Sequence, residues 1–195
     1  AASFTEDRMN HKQTAGADMA ASAHRRSGLN GESTVQGRWA ITCRDKTGLI
    51  KWTDVIENLV TNAGLDHLLD VTLSGATQIT AWYVGLTAGT PTVAAGDTSA
   101  SHAGWTEVTA YDEATREAWT DGGVSSRSVS NSASAAQFTI SANSTTVGGA
   151  FLVSNSTKGG TTGTLYAVGA FSAGDKALDD GDTLAVTATF TSAAA

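Results

Sequence analysis

Residues 97 to 107, Asp97-Thr98-Ser99-Ala100-Ser101-His102-Ala103-Gly104-Trp105-Thr106-Glu107, place hydroxyls, an imidazole and two carboxylates in one short stretch. These are the groups of a hydrolase, in which an imidazole takes the proton of a serine and a carboxylate orients the imidazole. They act only where they converge in space, and triad members ordinarily come from separate elements. Nothing here has the form of a nucleophile elbow on a strand-turn-helix. The expectation is a structured loop in which Asp97 caps a short helical turn and Trp105 anchors the loop to the core.

Other candidate chemistry has the wrong order or spacing. Lys158-Gly159-Gly160-Thr161-Thr162-Gly163-Thr164 has the composition of a phosphate loop, but its lysine precedes the glycines and a strand follows, which reads as a hairpin loop. His11, His24, His67 and His102 lack the spacing of zinc ligands, and the single Cys43 adds no ligand pair and forbids an internal disulfide. Asp175, Asp179, Asp180 and Asp182 lack the calcium-loop pattern with its terminal glutamate and read as a solvated acidic turn. Asn143-Ser144-Thr145 and Asn155-Ser156-Thr157 match a glycosylation acceptor, but no secretory signal is recognisable. Trp39, Trp52, Trp82, Trp105 and Trp119 could offer a carbohydrate platform, yet their strand-like context favours core filling. No catalytic, metal or cofactor site is assigned, and the chain is read as non-enzymatic.

The elements around these residues are built from small side chains. Ala, Thr, Gly and Ser make up 102 of 195 residues, and Leu, Ile, Val and Phe only 35, so any core is thin and depends on its aromatics. A formal charge of −7 is too modest for a disordered chain of this composition. No run of about 18 apolar residues is present, so no membrane-spanning helix is expected. Up to Lys51 the chain carries +3, and from Trp52 onward −10. The acidic bulk would be repelled by a nucleic-acid backbone, so no nucleic-acid partner is expected.

Residues 1 to 34 hold only Phe4, Met9, Met19 and Leu29 as large apolar side chains, without helical or strand period. Fixing a backbone residue costs about 1 to 2 kcal/mol, which a segment this polar would offset by lying along a partner surface. It is read as an extended arm, with Arg8, Lys12, Arg25 and Arg26 as candidate partner contacts on an acidic protein. A solvated terminus, or packing on its own domain, is the alternative.

From residue 35 the pattern predicts a β-rich domain. Trp39, Ile41 and Cys43 alternate with polar or small residues, Asp45-Lys46-Thr47-Gly48 suits a type I turn, and Leu49 to Thr53 returns as a second strand. Asp54 and Glu57 resemble a capping box, and Ile56, Leu59, Val60 and Ala63, then Leu65, Leu68, Leu69 and Leu73, predict a helical segment over 54 to 73. Gly64 would mark a kink or cap within it. Strands are expected at 79 to 86, 136 to 140, 149 to 153 and 164 to 171. A last one has Leu184, Val186, Ala188 and Phe190 on its covered face. The architecture expected is an antiparallel β-sandwich or jelly roll over 76 to 195, preceded by the hairpin and helix of 35 to 75.

Six stretches together resemble a family of structural proteins of tailed bacteriophages. They are Gly37-Arg38-Trp39, the run from Glu57 to Leu65, Trp82-Tyr83-Val84-Gly85-Leu86, the run from Ala100 to Glu107, Gly149-Ala150-Phe151-Leu152, and the run from Ser156 to Tyr166. The resemblance spans about residues 37 to 190 and implies a non-enzymatic virion component. The expected role is a capsid decoration or cement protein on the outer capsid surface. Its partner would be the major capsid protein, it would form a homo-oligomer for which a trimer is one arrangement, and it would contact no membrane. The alternatives are a tail or head fibre module that recognises host surface glycans and, third, a small hydrolase using the His102 loop.

Overall fold

The computed structural model describes residues 33 to 194, and Thr34–Ala193 form one contact unit. Arg8, Lys12, Arg25, Arg26 and the arm to residue 32 lie outside the described residues, while Ser33 and Thr34 already belong to the first strand.

β1 (Ser33–Arg44) and β2 (Ile50–Val60) form the expected hairpin. The Asp45 carboxylate shapes its turn by accepting from the Thr47 N–H at 2.8 Å, the Thr47 hydroxyl at 2.6 Å and the Leu49 N–H at 3.1 Å. Gly48 sits at φ 88°, a conformation a side chain would strain.

Residues 54 to 60 do not open the helix; they continue β2. Asp54, Ile56 and Val60 are buried on one face, Ile56 stands opposite Trp39, and Val55, Ile56 and Val60 are β-branched. The positions 56, 59, 60 and 63 satisfy a helical period, but the set 54, 56, 60 satisfies a strand, and the ladder with β1 decides between them. Asp54 caps nothing, because its carboxylate accepts from the Val55 N–H, the Ser172 hydroxyl and the Ala173 N–H.

The helix, α1 (Asn62–Leu73), begins one residue after β2 ends. Thr61 caps it by accepting from the Gly64 N–H at 3.1 Å, and the same hydroxyl donates to the Leu165 carbonyl. Gly64 is neither a kink nor a C-cap. It lies buried in the first turn, where a Cβ would meet the Tyr166 carbonyl oxygen at 2.5 Å, so its missing side chain lets α1 close on the sheet.

The remaining strands are β3 (Tyr83–Thr87), β4 (Glu107–Val108), β5 (Glu117–Ala118), β6 (Ser128–Ser130), β7 (Ala136–Thr139), β8 (Thr145–Val147), β9 (Gly149–Val153), β10 (Leu165–Ala170), β11 (Lys176–Leu178) and β12 (Thr183–Ala194). The strand expected from Ile79 is regular only from Tyr83, and the Ile79 N–H points at His67 Nε2 3.5 Å away. The main ladder runs β4-β3-β9-β10-β2-β1-β12-β6, with β5 on β3 and β7 on β12, while β8 and β11 form a separate ribbon.

β2 is the corner of this ladder. Its residues 50 to 58 pair with β1, whereas Leu59 and Val60 pair with Val168 and Ala167 of β10. A strand that serves both halves lets the two fold face to face, as in sandwich packing. Trp39, Ile41, Phe138, Leu184 and Phe190 of one half therefore share a core with Val84, Leu86, Leu152 and Ala167 of the other. The fold is mainly β, antiparallel and sandwich-like. Aromatics fill the interior that small residues leave thin: the Trp39 and Phe190 ring centroids are 6.4 Å apart, and those of Tyr111 and Phe138 are 5.0 Å apart. On the other face of β9 and β10, Phe151, Val153, Leu165 and Val168 form a second cluster under Trp105 and Val93. β9 is buried on both sides, which explains its continuous apolar run.

Candidate functional site

The loop from Asp97 to Glu107 is folded around a tryptophan. Trp105 is buried against Phe151 and donates its indole N–H to Asp97 Oδ2 at 3.3 Å. Asp97 does not cap a forward helical turn. It closes a turn back onto Ala94, whose N–H reaches the same carboxylate oxygen at 3.1 Å and whose carbonyl accepts the Asp97 N–H at 3.0 Å. His102 stacks on Trp105 with centroids 3.8 Å apart, and its Nδ1 lies 3.1 Å from the Trp105 carbonyl oxygen. Ser99 Oγ is buried and bonded to nothing, so the hydroxyl, imidazole and carboxylates form no proton relay in this geometry.

Glu107 has a partner that spacing did not disclose. Arg116 Nε and Nη2 donate to its two oxygens at 2.8 Å and 2.7 Å, and both side chains are almost wholly buried. The guanidinium also donates to the carbonyls of Asn155 and Gly160, at 2.9 Å and 2.8 Å, and lies 5.1 Å from the centre of the Phe151 ring. Glu107 Oε2 further accepts the Gly159 N–H at 2.8 Å. This bidentate pair pins the 154 to 163 loop to β4, and a cleft of about 220 Å³ beside it is lined by Ser99, His102, Arg116 and Gly159. Its one sequence trace is an arginine among only four bases after Trp52.

The glycine-rich stretch is the expected hairpin loop between β9 and β10. Lys158 donates to the Tyr111 carbonyl at 2.7 Å and lies 4.1 Å from the centre of that tyrosine ring, so the loop's lysine and the Gly159 N–H are both engaged. Asp179 and Asp182 share Lys51, at 3.9 Å and 2.6 Å, while Asp175 lies apart. Asp182 Oδ2 also accepts the Asp179 N–H at 2.9 Å, and Asp175 accepts from the Thr90 hydroxyl. Among the described residues no cluster of three metal-ligating side chains occurs. Burial pushes the Cys43 thiol up to about 11, Asp182 adding to the effect, which disfavours the nucleophilic thiolate.

The expectation that the tryptophans fill core is met fully by two of the five and in part by the other three. Trp39 and Trp105 are buried as expected, while Trp52, Trp82 and Trp119 pack against the core but stay half-buried. Trp82 and Trp119, with Tyr166 and Phe190, form the floor of a groove of about 510 Å³ between α1 and the 119 to 129 segment. Their rings meet edge to face: Trp82 with Tyr166 at 5.3 Å, Tyr166 with Phe190 at 5.2 Å and Trp119 with Phe190 at 5.9 Å. The leucine stripe of α1 is turned outward. Leu65, Leu68, Leu69 and Leu73 are all exposed, Leu73 at 79 %. The inward side of α1 is instead Gly64, His67 and Val71, and at Gly64 the backbone of β10 leaves no room even for a Cβ.

The described residues thus hold their buried charges in loop-building bonds and present one extended apolar surface on α1 and its groove. No helix among them is long and apolar enough to cross a membrane. Comparison with protein-family models, curated proteins and solved structures finds no match to this chain.

Proposed function

We propose that this chain is a non-enzymatic structural protein of a tailed-bacteriophage virion, a capsid decoration or cement protein bound to the major capsid protein lattice. The observation that carries this reading is the outward leucine row of α1, since exposed apolar surface of this kind marks an interaction site. The α1 surface, together with the N-terminal arm and its Arg8, Lys12, Arg25 and Arg26, docks on the shell, and the acidic β-domain faces solvent. Stabilisation follows by mass action: a protein that binds only the assembled lattice lowers that state's free energy. Repeated attachment of several copies, or of a homo-oligomer, adds avidity.

Purified heads mixed with the wild-type chain and with Leu69→Lys/Leu73→Lys test this reading by co-sedimentation. The wild type should pellet with heads and raise their resistance to heat, and the variant should do neither while melting like the wild type. Equal pelleting of both would remove the α1 surface from the account. The half-buried Trp82 and Trp119 favour the second reading, a fibre module for host glycans, which binding to a glycan array abolished by Trp82→Ala would support.

A further inference from the structure

α1 shows two adjacent rows to solvent. Leu65, Leu69 and Leu73 recur every fourth residue along one row, and Asp66 and Asp70 follow one step round the helix. Leu68 joins the leucine row to the groove, whose far wall carries Val124 and Asp121. Leu69 is 53 % and Val124 78 % exposed, so the apolar surface continues from the helix across the groove.

Among the described residues of α1 and the groove lining the charge has one sign: Asp66 and Asp70 border the leucines, Asp121 lines the groove, and none is a lysine or arginine. Arg127, on the segment between Val124 and Val129, stands outside the lining. A second copy laid antiparallel, α1 against α1, would set Asp66 and Asp70 beside the same carboxylates, and like charges oppose that arrangement. A sugar would need several free hydrogen-bonding groups on the floor, but the Trp119 indole N–H is spent on the Ala188 carbonyl at 3.2 Å and the floor rings close edge to face on one another. Apolar pockets bordered by carboxylates suit a polypeptide with apolar anchors flanked by bases.

We propose that the α1 surface and its groove seat a segment of the partner protein that carries apolar anchors flanked by lysine or arginine. This deepens the head-decoration reading and rests on it for the partner's identity, but the chemistry of the segment is testable alone.

Two fluorescein-labelled peptides with leucines at the same helical spacing, one filled with lysine and the other with glutamate, are titrated with the full chain and followed by anisotropy. The lysine peptide should bind at least about tenfold more tightly in about 0.05 M salt and lose most of that advantage in about 0.5 M salt, where the Debye length is a few ångströms. Leu69→Ser should weaken binding, and Asp66→Lys/Asp70→Lys should reverse the preference between peptides. All three positions are exposed, so unchanged melting serves as the control. Binding of neither peptide, equal binding of both, or a lysine preference that survives Asp66→Lys/Asp70→Lys would overturn the proposal. So would self-association abolished by Leu69→Ser, which assigns the surface to a second copy, or glycan binding abolished by Trp82→Ala. A chain that decorates heads but ignores both peptides refutes this inference and spares the head-decoration reading; one that prefers the lysine peptide but ignores heads does the reverse.

Discussion

Replacing Arg116 with methionine removes a cation that is 3 % exposed and keeps most of its volume. Four hydrogen bonds vanish: two to Glu107 and one each to the carbonyls of Asn155 and Gly160. The Glu107 carboxylate stays buried with only the Gly159 N–H to compensate it. Deleting one partner of a buried pair costs about 3 to 5 kcal/mol, against less than about 1 kcal/mol for an exposed pair. For a domain of this size each kcal/mol lowers the melting temperature by about 2 to 4 °C, so the expected fall is about 6 to 20 °C. Urea unfolding followed by circular dichroism measures the loss directly, with an unchanged slope expected. Glu107→Leu/Arg116→Met removes both charges together and should be more stable than Arg116→Met alone, with a coupling energy of about 1 to 3 kcal/mol. A single-variant loss below about 1 kcal/mol, or a double variant no better than Arg116→Met, would refute the assignment of this pair as the staple of the 154 to 163 loop. Head attachment should be unaffected below the new melting temperature, because this cleft shares no residue with the groove at α1.

Burial alone would raise the Asp54 carboxyl, but the bonds from Ser172, Val55 and Ala173, with Lys176 at 3.8 Å, outweigh it and hold the group below the usual carboxylate range. A depressed acid contributes stability above its unfolded value of about 3.9 and loses it as pH falls through the lower folded value. Asp54→Asn should therefore cost about 1 to 3 kcal/mol near pH 7, and denaturation midpoints of the two proteins should converge as pH drops below about 4. Gly64→Val sets side-chain atoms where the Tyr166 carbonyl lies, so it should undock α1, lower the melting temperature and shift the fluorescence of the adjacent Trp82; an unchanged spectrum would contradict the close approach. Cys43, fully buried with its thiol pushed up to about 11, should react with a thiol reagent only as fast as the domain opens, and rapid labelling of the native protein would contradict its place in the core.

Strand content was legible where a long alternation or an apolar run left no competing period. In β12 the alternation of Leu184, Val186, Ala188 and Phe190 against threonine and alanine admits one reading, and β9 followed from its apolar run after Gly148-Gly149. The boundary at 54 to 62 was not legible, because Ile56 and Val60 fit two periods and the deciding pairing with β1 is nonlocal. Gly64 misled for the same reason: a glycine within a helical pattern reads as a kink or cap, whereas the backbone of β10 that requires it is a hundred residues away. Arg116 and Glu107 meet through a loop crossing that no spacing rule encodes. The leucines of α1 were visible as a stripe, but composition cannot say whether a stripe faces its own core or a partner, and only the packing of the helix on Gly64 turned them outward.

The most direct measurement is the number of copies of this chain per major capsid protein on purified virions, by quantitative mass spectrometry of intact particles. Head decoration predicts a copy number on the scale of the capsid protein itself, lost from particles assembled with Leu69→Lys/Leu73→Lys. A few copies per particle, or a full complement retained by that variant, would contradict it.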